Sequence, residues 1–478
     1  MDVLKSVGAV LLAGIVGVLP EASIQAQNPV RNVDLAVSAD AQLPKDIYPD
    51  SRNRLPLPKR EDMDDSGKQV FDQITRGKPL PDGSVPAGFL PTGTPQAPVR
   101  LWDPKLAKLL ADVSHYRKYE IGLPDRLLEI AVLVTAYEMN CQYEWTQWER
   151  FGRNPSDPRH IEQSTIDIIK YNKPVVGLGE KETAVITFGR EMFGQRKVSS
   201  ETFAEVLRLF DPKGTLDLLE LMAGYSAAAA ELTAFDQQLQ VGQKPLLPPR
   251  ILVQAPVRNE EPADVSGAPL PKDVYPDSRN RFPVPKREDM DDNGKKAYDQ
   301  VNRGAPAANG AVRAGFFPTG TPAESRVTLW DPELAGLMIG VGHYLKYETG
   351  LSDQLMEIAI LVTARELDCQ YEWTQWERFG RNPSDPRHIE QSAIDIIKYE
   401  RPVVGFGEKE TAIVALGREM FGRRKVSSGT FAEVLRLFGR KGTVDLVWLM
   451  ANYSIAAAQL TALDQQLQVG QKPLLPPR

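Results

Sequence analysis

An internal duplication constrains the fold of this chain more than any other feature of its sequence. The segment LPKDIYPDSRNRLPLPKREDMDD that begins at Leu43 returns as LPKDVYPDSRNRFPVPKREDMDD at Leu270. The run from Cys141 to Ser164 recurs without change from Cys369 to Ser392, and both copies close with QQLQVGQKPLLPPR. The repeat period exceeds two hundred residues, far longer than the roughly 20–50 residues of a solenoid unit. We therefore predict two whole domains in tandem.

The domain boundaries follow from the repeat. We place the first copy at residues 28–250 and the second at 251–478. A stretch at about 245–271 is rich in proline and charged residues, so we expect an extended linker there. Each copy also begins with a proline-rich, charged segment that we expect to lie extended over a helical body.

Helical periodicity dominates both copies, and no convincing alternating strand pattern is present. Capping residues, such as Asp103-Pro104 before a helix to about Tyr119, mark several starts. In the first copy we predict helices near Asp62–Arg76, from Asp103 to about Tyr119, from Asp157-Pro158 through Ile169, from about Glu180 to Phe193, from Ser199, and from roughly Thr215 to Leu239. These patterns predict an all-α protein.

Charge and histidine content exclude two classes of function. The net charge is -6 and no basic cluster is present, which argues against a nucleic-acid-binding surface. The chain has 4 histidines, none in the His-x-x-His or Glu-x-x-His spacing of a metal site. We therefore expect neither a metal nor another cofactor.

The N-terminus resembles a secretory signal. Lys5 precedes the apolar run SVGAVLLAGIVGVLP, and Ile24 and Ala26 occupy plausible positions before a cleavage site. The run is short for a membrane span, so we predict a cleaved signal peptide over residues 1–27 and an exported, periplasmic or secreted protein. An uncleaved membrane anchor is the alternative.

The only two cysteines occupy equivalent places in the repeat. Cys141 lies in LLEIAVLVTAYEMNCQYEWTQWERFGR, which we interpret as two helices that meet at the cysteine. Asn140, or Asp368 in the second copy, would cap the second helix, or Cys141 would itself be the cap. Either arrangement puts the sulfur in the first helical turn, where the helix dipole favours a thiolate. The alternative is a buried, unreactive cysteine.

Two glutamates accompany each cysteine, twelve residues before it and three residues after it. Glu129 interrupts an apolar run, so it either belongs to a site or pairs with an arginine such as Arg150 or Arg153. Glu144 would raise the thiol pKa by like-charge repulsion, or would act as a neutral proton donor if desolvated. The candidate catalytic residues are Cys141, Glu129 and Glu144 with their equivalents Cys369, Glu357 and Glu372.

A further set of side chains could line the same pocket, although packing in the core is the plainer interpretation for the aromatic ones. His160 could serve as a proton relay across the turn that follows the second helix, or lie at the surface. The candidate pocket residues are Trp145, Trp148, His160 and Tyr225, with Trp373, Trp376, His388 and Tyr453 in the second copy.

The arrangement of Glu129, Cys141, Glu144-Trp145 and a further aromatic resembles the carboxymuconolactone decarboxylase family, and its alkylhydroperoxidase-D-like branch most closely. The segments RLPLPKREDMDDSGKQVFDQI, HYRKYEIGLPDRLLEIAVLVTA and KVSSETFAEVLRLF also resemble that family, so the likeness covers most of both copies. It implies two alkylhydroperoxidase-D-like helical domains that form a pseudo-twofold pair, with further assembly into a homo-oligomer left open.

The resemblance is incomplete at the site. The peroxidase branch carries a glutamate, a Cys-x-x-Cys pair and a histidine, of which Glu129 and Cys141 match the first two members. Glu144 replaces the second cysteine and Trp148 the histidine. A disulfide cannot close within one motif, so a peroxidase of this kind would need an external thiol reductant.

Three functions remain open from the sequence. The first is a thiol-dependent peroxidase that reduces a hydroperoxide. The second is a non-redox enzyme of the lactone-decarboxylase kind, in which carboxylates and His160 act on a small organic acid. The third is an inactive binding or assembly module.

Overall fold

All regular secondary structure in the described part of the chain is helical. The computed structural model describes residues 43–76, 99–250, 255–258, 260–265, 267–303 and 327–478. The only extended pairings there are two isolated bridges, Tyr48 with Asn53 and Tyr275 with Asn280. The prediction of an all-α protein is confirmed. The predicted signal peptide lies outside the described residues, and no helix within them has the length and apolar character that a membrane crossing needs.

Each copy contributes the same series of helices. In the first copy they are α1 (Asp65–Arg76), α2 (Pro104–Tyr119), α3 (Asp125–Glu138), α4 (Gln142–Gly152), α5 (Gln163–Lys170), α6 (Glu180–Gly189) and α7 (Ser200–Ala234). In the second they are α8 (Asp292–Arg303), α9 (Pro332–Tyr347), α10 (Asp353–Glu366), α11 (Gln370–Gly380), α12 (Gln391–Lys398), α13 (Glu408–Gly417) and α14 (Ser428–Ala462). A π-helical turn follows α6 at Arg190–Gln195 and α13 at Arg418–Arg423.

Capping residues set several of the boundaries. The Asp103 side chain accepts a hydrogen bond from the Leu106 amide at 3.1 Å, as predicted for the start of α2. The helix predicted to open at Asp157-Pro158 begins instead at Gln163. The reason is that the Asp157 carboxylate accepts hydrogen bonds from the amide and side chain of Arg159, which holds the segment in a turn.

The last helix of each copy is bent, and in the first copy it joins the two helices predicted from Ser199 and from Thr215 and ends earlier than predicted. In α7, Asp211 has φ 57° just before Pro212, which breaks the helix into two arms. The helix ends at Ala234 rather than near Leu239, because Asp236 turns left-handed at φ 48°. The Gln238 amide then donates to the Arg52 carbonyl at 2.8 Å, which joins this end to the extended N-terminal segment.

Helix α3 is the centre of the first copy. Every residue from Leu127 to Glu138 is buried, and the helix packs against α4, α6 and α7. Helix α10 has the same role in the second copy, with Leu355 to Glu366 buried. Burial on all sides explains why the sequence of these helices is apolar all round except for the acids discussed below.

The two copies pack together through reciprocal contacts. Helices α7 and α14 lie against each other, and one hydrophobic core runs through both copies. The Tyr116 hydroxyl donates to Asp331 at 2.9 Å, and its equivalent Tyr344 donates to Asp103 at 2.5 Å. Reciprocal contacts of this kind are the pattern that a two-fold interface between like units produces.

Charged residues break this symmetry at the centre of the interface. Glu220 is fully buried, pairs with Arg117 at 2.9 Å and accepts a hydrogen bond from Gln459 of the second copy. Glu231 accepts from the indole of Trp448 at 2.8 Å. Gln459 and Trp448 stand at the positions equivalent to Glu231 and Glu220. If two first copies packed against each other, Glu220 of one would face Glu231 of the other. The network therefore favours pairing of unlike copies.

Replacing Gly417 with alanine should destabilise the protein by about 1–3 kcal/mol, because overpacking a dense core displaces its side chains. A Cβ atom at Gly417 would lie 2.6 Å from Val362 Cγ1 and 2.8 Å from Met450 Cε. The matched control is Gly336→Ala on α9, where a Cβ would meet nothing within 4 Å. Alanine there should stabilise the helix by about 0.5–1 kcal/mol. Urea unfolding that gives the two variants the same midpoint would contradict this packing.

Candidate active site

Two helices meet at each cysteine, as the sequence predicts, but the asparagine before Cys141 does not cap the second one. Asn140 has φ 55° and ends α3, with the Cys141 amide bonded to the Ala136 carbonyl at 2.9 Å. Asparagine tolerates the left-handed conformation that such a helix end requires. Asp368 has the same φ of 55° in the second copy, so the predicted capping role of both residues is wrong. Cys141 is the N-cap residue, without a side-chain capping bond.

The sulfur of Cys141 is sealed in the core. Cys141 and Cys369 are each 4% exposed, and Cys141 is a reduced thiol that is not bridged to Cys369. Burial raises the thiol pKa of Cys141 above its usual value, and the nearby Glu144 raises it further. The expectation of a lowered thiol pKa is therefore wrong, because desolvation outweighs the helix dipole.

Glu129 does not lie beside this sulfur. A Cβ atom on Gly152 would be 3.1 Å from Glu129 Oε1, so the carboxyl group packs against the last residue of α4. Cys141 precedes the first residue of the same helix. At 1.5 Å per residue the two ends are roughly 16 Å apart. The expectation that the acid of the preceding helix flanks the sulfur is wrong, because α3 runs antiparallel to α4 and continues past Glu129 to Glu138.

The Glu129 carboxyl group is buried with little compensation for its charged form. It is 0% exposed, and neither oxygen has a hydrogen-bond partner among the described residues. Burial raises its pKa well above the usual glutamate value, and only Arg159 and the Gly152 backbone oppose that shift. Arg153, suggested from sequence as a partner, pairs with Glu149 at 2.5 Å instead. Glu357 repeats the arrangement: neither oxygen has a hydrogen-bond partner in the part of the chain that the structure describes, and its pKa is raised.

Glu144 lies in a second buried position, on the first turn of α4. It is 4% exposed, Oε2 has no hydrogen-bond partner among the described residues, and burial raises its pKa well above the usual value. The one charge that opposes this shift is that of Lys118. The condition for Glu144 to act as a neutral proton donor is therefore met.

Lys118 is the functional candidate that the sequence interpretation missed. Burial lowers its pKa to about 8, and the charges of Arg100 and Arg159 also lower it. Its Nζ lies 5.8 Å from the centroid of the Tyr225 ring. The signal was present in the sequence as HY-x-KYE, which both copies share, but a lysine on a helix is ordinarily solvated.

Tyr225 and Trp148 join this group. The Tyr225 hydroxyl is buried without a hydrogen-bond partner among the described residues, and its pKa is raised well above the usual value by burial and then by Glu144. Trp148 meets Tyr225 edge to face at 5.3 Å. In the second copy Trp376 meets Tyr453 at the same 5.3 Å, and Lys346 Nζ lies 5.4 Å from the Tyr453 ring. We call Lys118, Glu129, Glu144 and Tyr225, with Lys346, Glu357, Glu372 and Tyr453, the acid clusters.

The other two pocket candidates of the first copy, Trp145 and His160, have hydrogen-bond partners of their own. The Trp145 indole donates to Glu149 at 2.5 Å, and Lys170 completes this buried ion pair at 3.0 Å. Trp373 makes the same contact with Glu377. His160 Nδ1 lies 2.8 Å from the Gly152 carbonyl, and His388 Nδ1 the same distance from that of Gly380. Trp145 therefore packs in the core, and each histidine ring is held at the end of α4 or α11.

A solvent-accessible cleft in the second copy is lined by Lys346, one member of its acid cluster. It has a volume of about 400 Å³ and lies at the junction of α9 and α10, lined by Lys346, Tyr347, Gly350, Leu351, Ser352 and Pro386 among others. This volume is within the usual range for small-molecule sites. Within the described residues, no three His, Cys, Asp or Glu side chains are grouped as a metal ion would require.

The Cys141 thiol should be resistant to alkylation. In a Cys369→Ala variant, iodoacetamide should label Cys141 at least about 100-fold more slowly than free cysteine near pH 8, because only the thiolate reacts and burial suppresses it. The urea-unfolded variant is the control and should react at the rate of free cysteine. If the labelling rate of the folded protein reached half of its maximum at a pH below 8.5, that result would contradict the burial of this sulfur.

Comparison with known proteins adds no relationship at the level of sequence. Neither the scan against protein-family models nor the search of curated proteins finds a match to this chain. The residues of the acid clusters must therefore carry the functional argument.

Proposed function

We propose that this protein is a non-redox enzyme that performs acid–base chemistry on a small organic acid, of the carboxymuconolactone decarboxylase kind. The observation that carries the proposal is the complete burial of Glu129 and, again, of Glu357, whose oxygens accept no hydrogen bond from the described residues. A buried carboxyl group without partners is costly unless it is protonated. Protonated, it is a proton donor at neutral pH, where an ordinary glutamate is not.

Three further groups, Glu144, Tyr225 and Lys118, support acid–base chemistry. Burial raises the pKa of Glu144 well above the usual glutamate value, and the raised pKa of Tyr225 keeps its phenol neutral. Lys118, with a pKa of about 8, exchanges protons near neutral pH. Perturbed pKa values that occur together at one place are typical of catalytic sites.

The charge of the cluster suggests the substrate class. When Glu129 and Glu144 are neutral, the charge of Lys118 has no counter-charge within the acid cluster, whereas Arg159 pairs with Asp157 at 2.8 Å. This favours an anionic ligand. The substrate would be a small organic acid, such as a carboxylated lactone, with a size that fits a cleft of about 400 Å³.

The proposed step is a decarboxylation in which Glu129 is the general acid. The bond between the substrate carboxylate and its ring carbon breaks, CO₂ leaves, and the electron pair is delocalised into the conjugated carbonyl group. The Glu129 carboxyl group donates its proton to the carbanionic carbon, and the carboxylate regains a proton from water. Lys118 holds the anionic substrate, and Glu357 and Lys346 have these roles in the second copy.

The proposal includes the architecture implied by the resemblance. The two copies would be tandem alkylhydroperoxidase-D-like domains in an exported protein, each with one acid cluster. The thiol-peroxidase alternative is less well supported, because the Cys141 thiol is buried and Glu129 packs at the far end of α4 from it.

Substrate turnover in a cysteine-free variant tests the proposal. The purified protein is incubated with a panel of carboxylated five-membered lactones, and loss of ultraviolet absorbance and release of CO₂ are followed. The Cys141→Ala/Cys369→Ala variant should retain the wild-type rate, and neither protein should consume an organic hydroperoxide in the presence of dithiothreitol. Hydroperoxide consumption that disappears in the cysteine-free variant would overturn the proposal in favour of a peroxidase.

A further inference from the structure

The two copies differ in charge where α3 or α10 ends. In the second copy three arginines form ion pairs with Asp368. Two of them are Arg196 of the first copy and Arg365, and the third is Arg478, whose Nε lies 2.9 Å from the Asp368 carboxylate. Arg478 also pairs with Glu366 at 3.3 Å and with Glu400. The arginines at this junction are therefore matched by carboxylates.

The first copy lacks two of those carboxylates. Asn140 stands in place of Asp368, and Asn172 in place of Glu400. Arg424, the equivalent of Arg196, forms no ion pair within 4.0 Å among the described residues, although it is half-buried. Arg424 lacks an acidic partner because position 140, the equivalent of Asp368, holds an asparagine.

The remaining charges do not restore the balance. Arg250 lies 3.8 Å over the Tyr137 ring, donates to the Tyr137 carbonyl, and is 4.0 Å from its nearest carboxylate, Glu138. Arg190 donates to the carbonyls of Lys173 and Ile168, which carry no charge. Three arginines therefore surround one acid, Glu138, and burial lowers the pKa of Arg424 to about 9. Half-buried guanidinium groups without a counter-charge are unfavourable.

We propose that a small inorganic oxyanion, of the size and charge of phosphate, binds between Arg424 and Arg250 at this junction, beside the Asn140 carboxamide, and supplies the negative charge that Asp368 supplies in the second copy. Guanidinium groups suit such a ligand because their paired N–H donors match two oxygens at once. The site joins the two copies, since Arg424 belongs to the second and Arg250 to the first. It lies at the Cys141 end of α4, away from Glu129, and is independent of the proposed catalytic function.

Thermal unfolding of the full-length protein in sodium phosphate, against sodium chloride of equal ionic strength, tests this site. The melting temperature of the wild type should rise with the logarithm of phosphate concentration beyond the chloride response, because a ligand of the folded state stabilises it. Asn140→Asp supplies the missing carboxylate and should remove the phosphate-specific rise. Arg424→Gln should also remove it. The matched control, Arg423→Gln, changes the neighbouring exposed arginine and should keep the wild-type response.

Two results would overturn the proposal. One is a wild-type protein that responds equally to phosphate and to chloride. The other is a phosphate-specific rise that persists in whichever of the Asn140→Asp and Arg424→Gln variants fold, since the anion would then bind elsewhere. The Asn140→Asp variant decides the question alone if Arg424→Gln fails to fold, because its new carboxylate faces an existing cation.

Discussion

Replacing Glu129 and Glu357 together with glutamine should lower turnover by about 10²–10⁴-fold, the usual contribution of a general acid. Glutamine has nearly the same shape as a protonated glutamate, so it should fill the space against Gly152 without a new cavity. It carries no transferable acidic proton. The expected result is therefore a protein that keeps the wild-type fold and turns over substrate much more slowly.

The control for this loss is the pair Glu205→Gln/Glu433→Gln, which changes equivalent exposed acids on α7 and α14. Each of these pairs with an arginine of the next turn and lies away from the acid clusters. Turnover should be unchanged in this control. Turnover of the Glu129→Gln/Glu357→Gln variant at the wild-type rate would remove Glu129 from the mechanism.

The free energy of unfolding should fall as the pH rises above the pKa of an unfolded glutamate, about 4.3. Burial raises the pKa values of Glu129, Glu144 and Glu357 in the folded state. In the window between the unfolded and folded pKa values the folded state holds more protons, so stability decreases with pH. Each such carboxyl group contributes a slope of up to about 1.4 kcal/mol per pH unit.

Urea unfolding of the wild type and of Glu129→Gln/Glu357→Gln between pH 5 and pH 7 measures this effect. The variant removes two of these carboxyl groups. Its free energy of unfolding should therefore decline less steeply with pH than that of the wild type, by up to about 2.7 kcal/mol per pH unit. The pKa values of Glu205 and Glu433 are lowered by their arginine partners, and both are exposed. Their glutamine variant should follow the wild-type curve closely. Parallel curves of the free energy of unfolding against pH for all three proteins would show that folding does not raise the pKa values of Glu129 and Glu357, and would contradict the prediction.

Local signals in the sequence predicted local structure well. The Asp103-Pro104 cap, the break between α3 and α4, and the helical character of the whole chain are all present in the structure. The prediction at Asp157 was wrong because the aspartate bonds to Arg159 rather than to a helix N-terminus. That choice depends on a side-chain contact that helix-start patterns do not include.

The properties of the site depended on burial, which the sequence pattern specified poorly. Of the two alternatives for the cysteine, a thiolate at a helix start and a buried unreactive thiol, the raised pKa of Cys141 agrees with the second. Lys118 was missed because only the tertiary fold places its ammonium group over Tyr225. The interface network of Glu220 with Gln459 was not predictable either, because the packing of α7 on α14 decides which residues meet.

The protonation state of Glu129 and Glu357 in the folded protein tests the account most directly. Infrared difference spectra near pH 7 between the wild type and Glu129→Gln/Glu357→Gln should show loss of a protonated carboxyl C=O band. The Glu205→Gln/Glu433→Gln variant should show instead the loss of ionised carboxylate bands. Loss of only carboxylate bands on replacing Glu129 and Glu357 would mean that both groups are charged at neutral pH, and would contradict their role as proton donors.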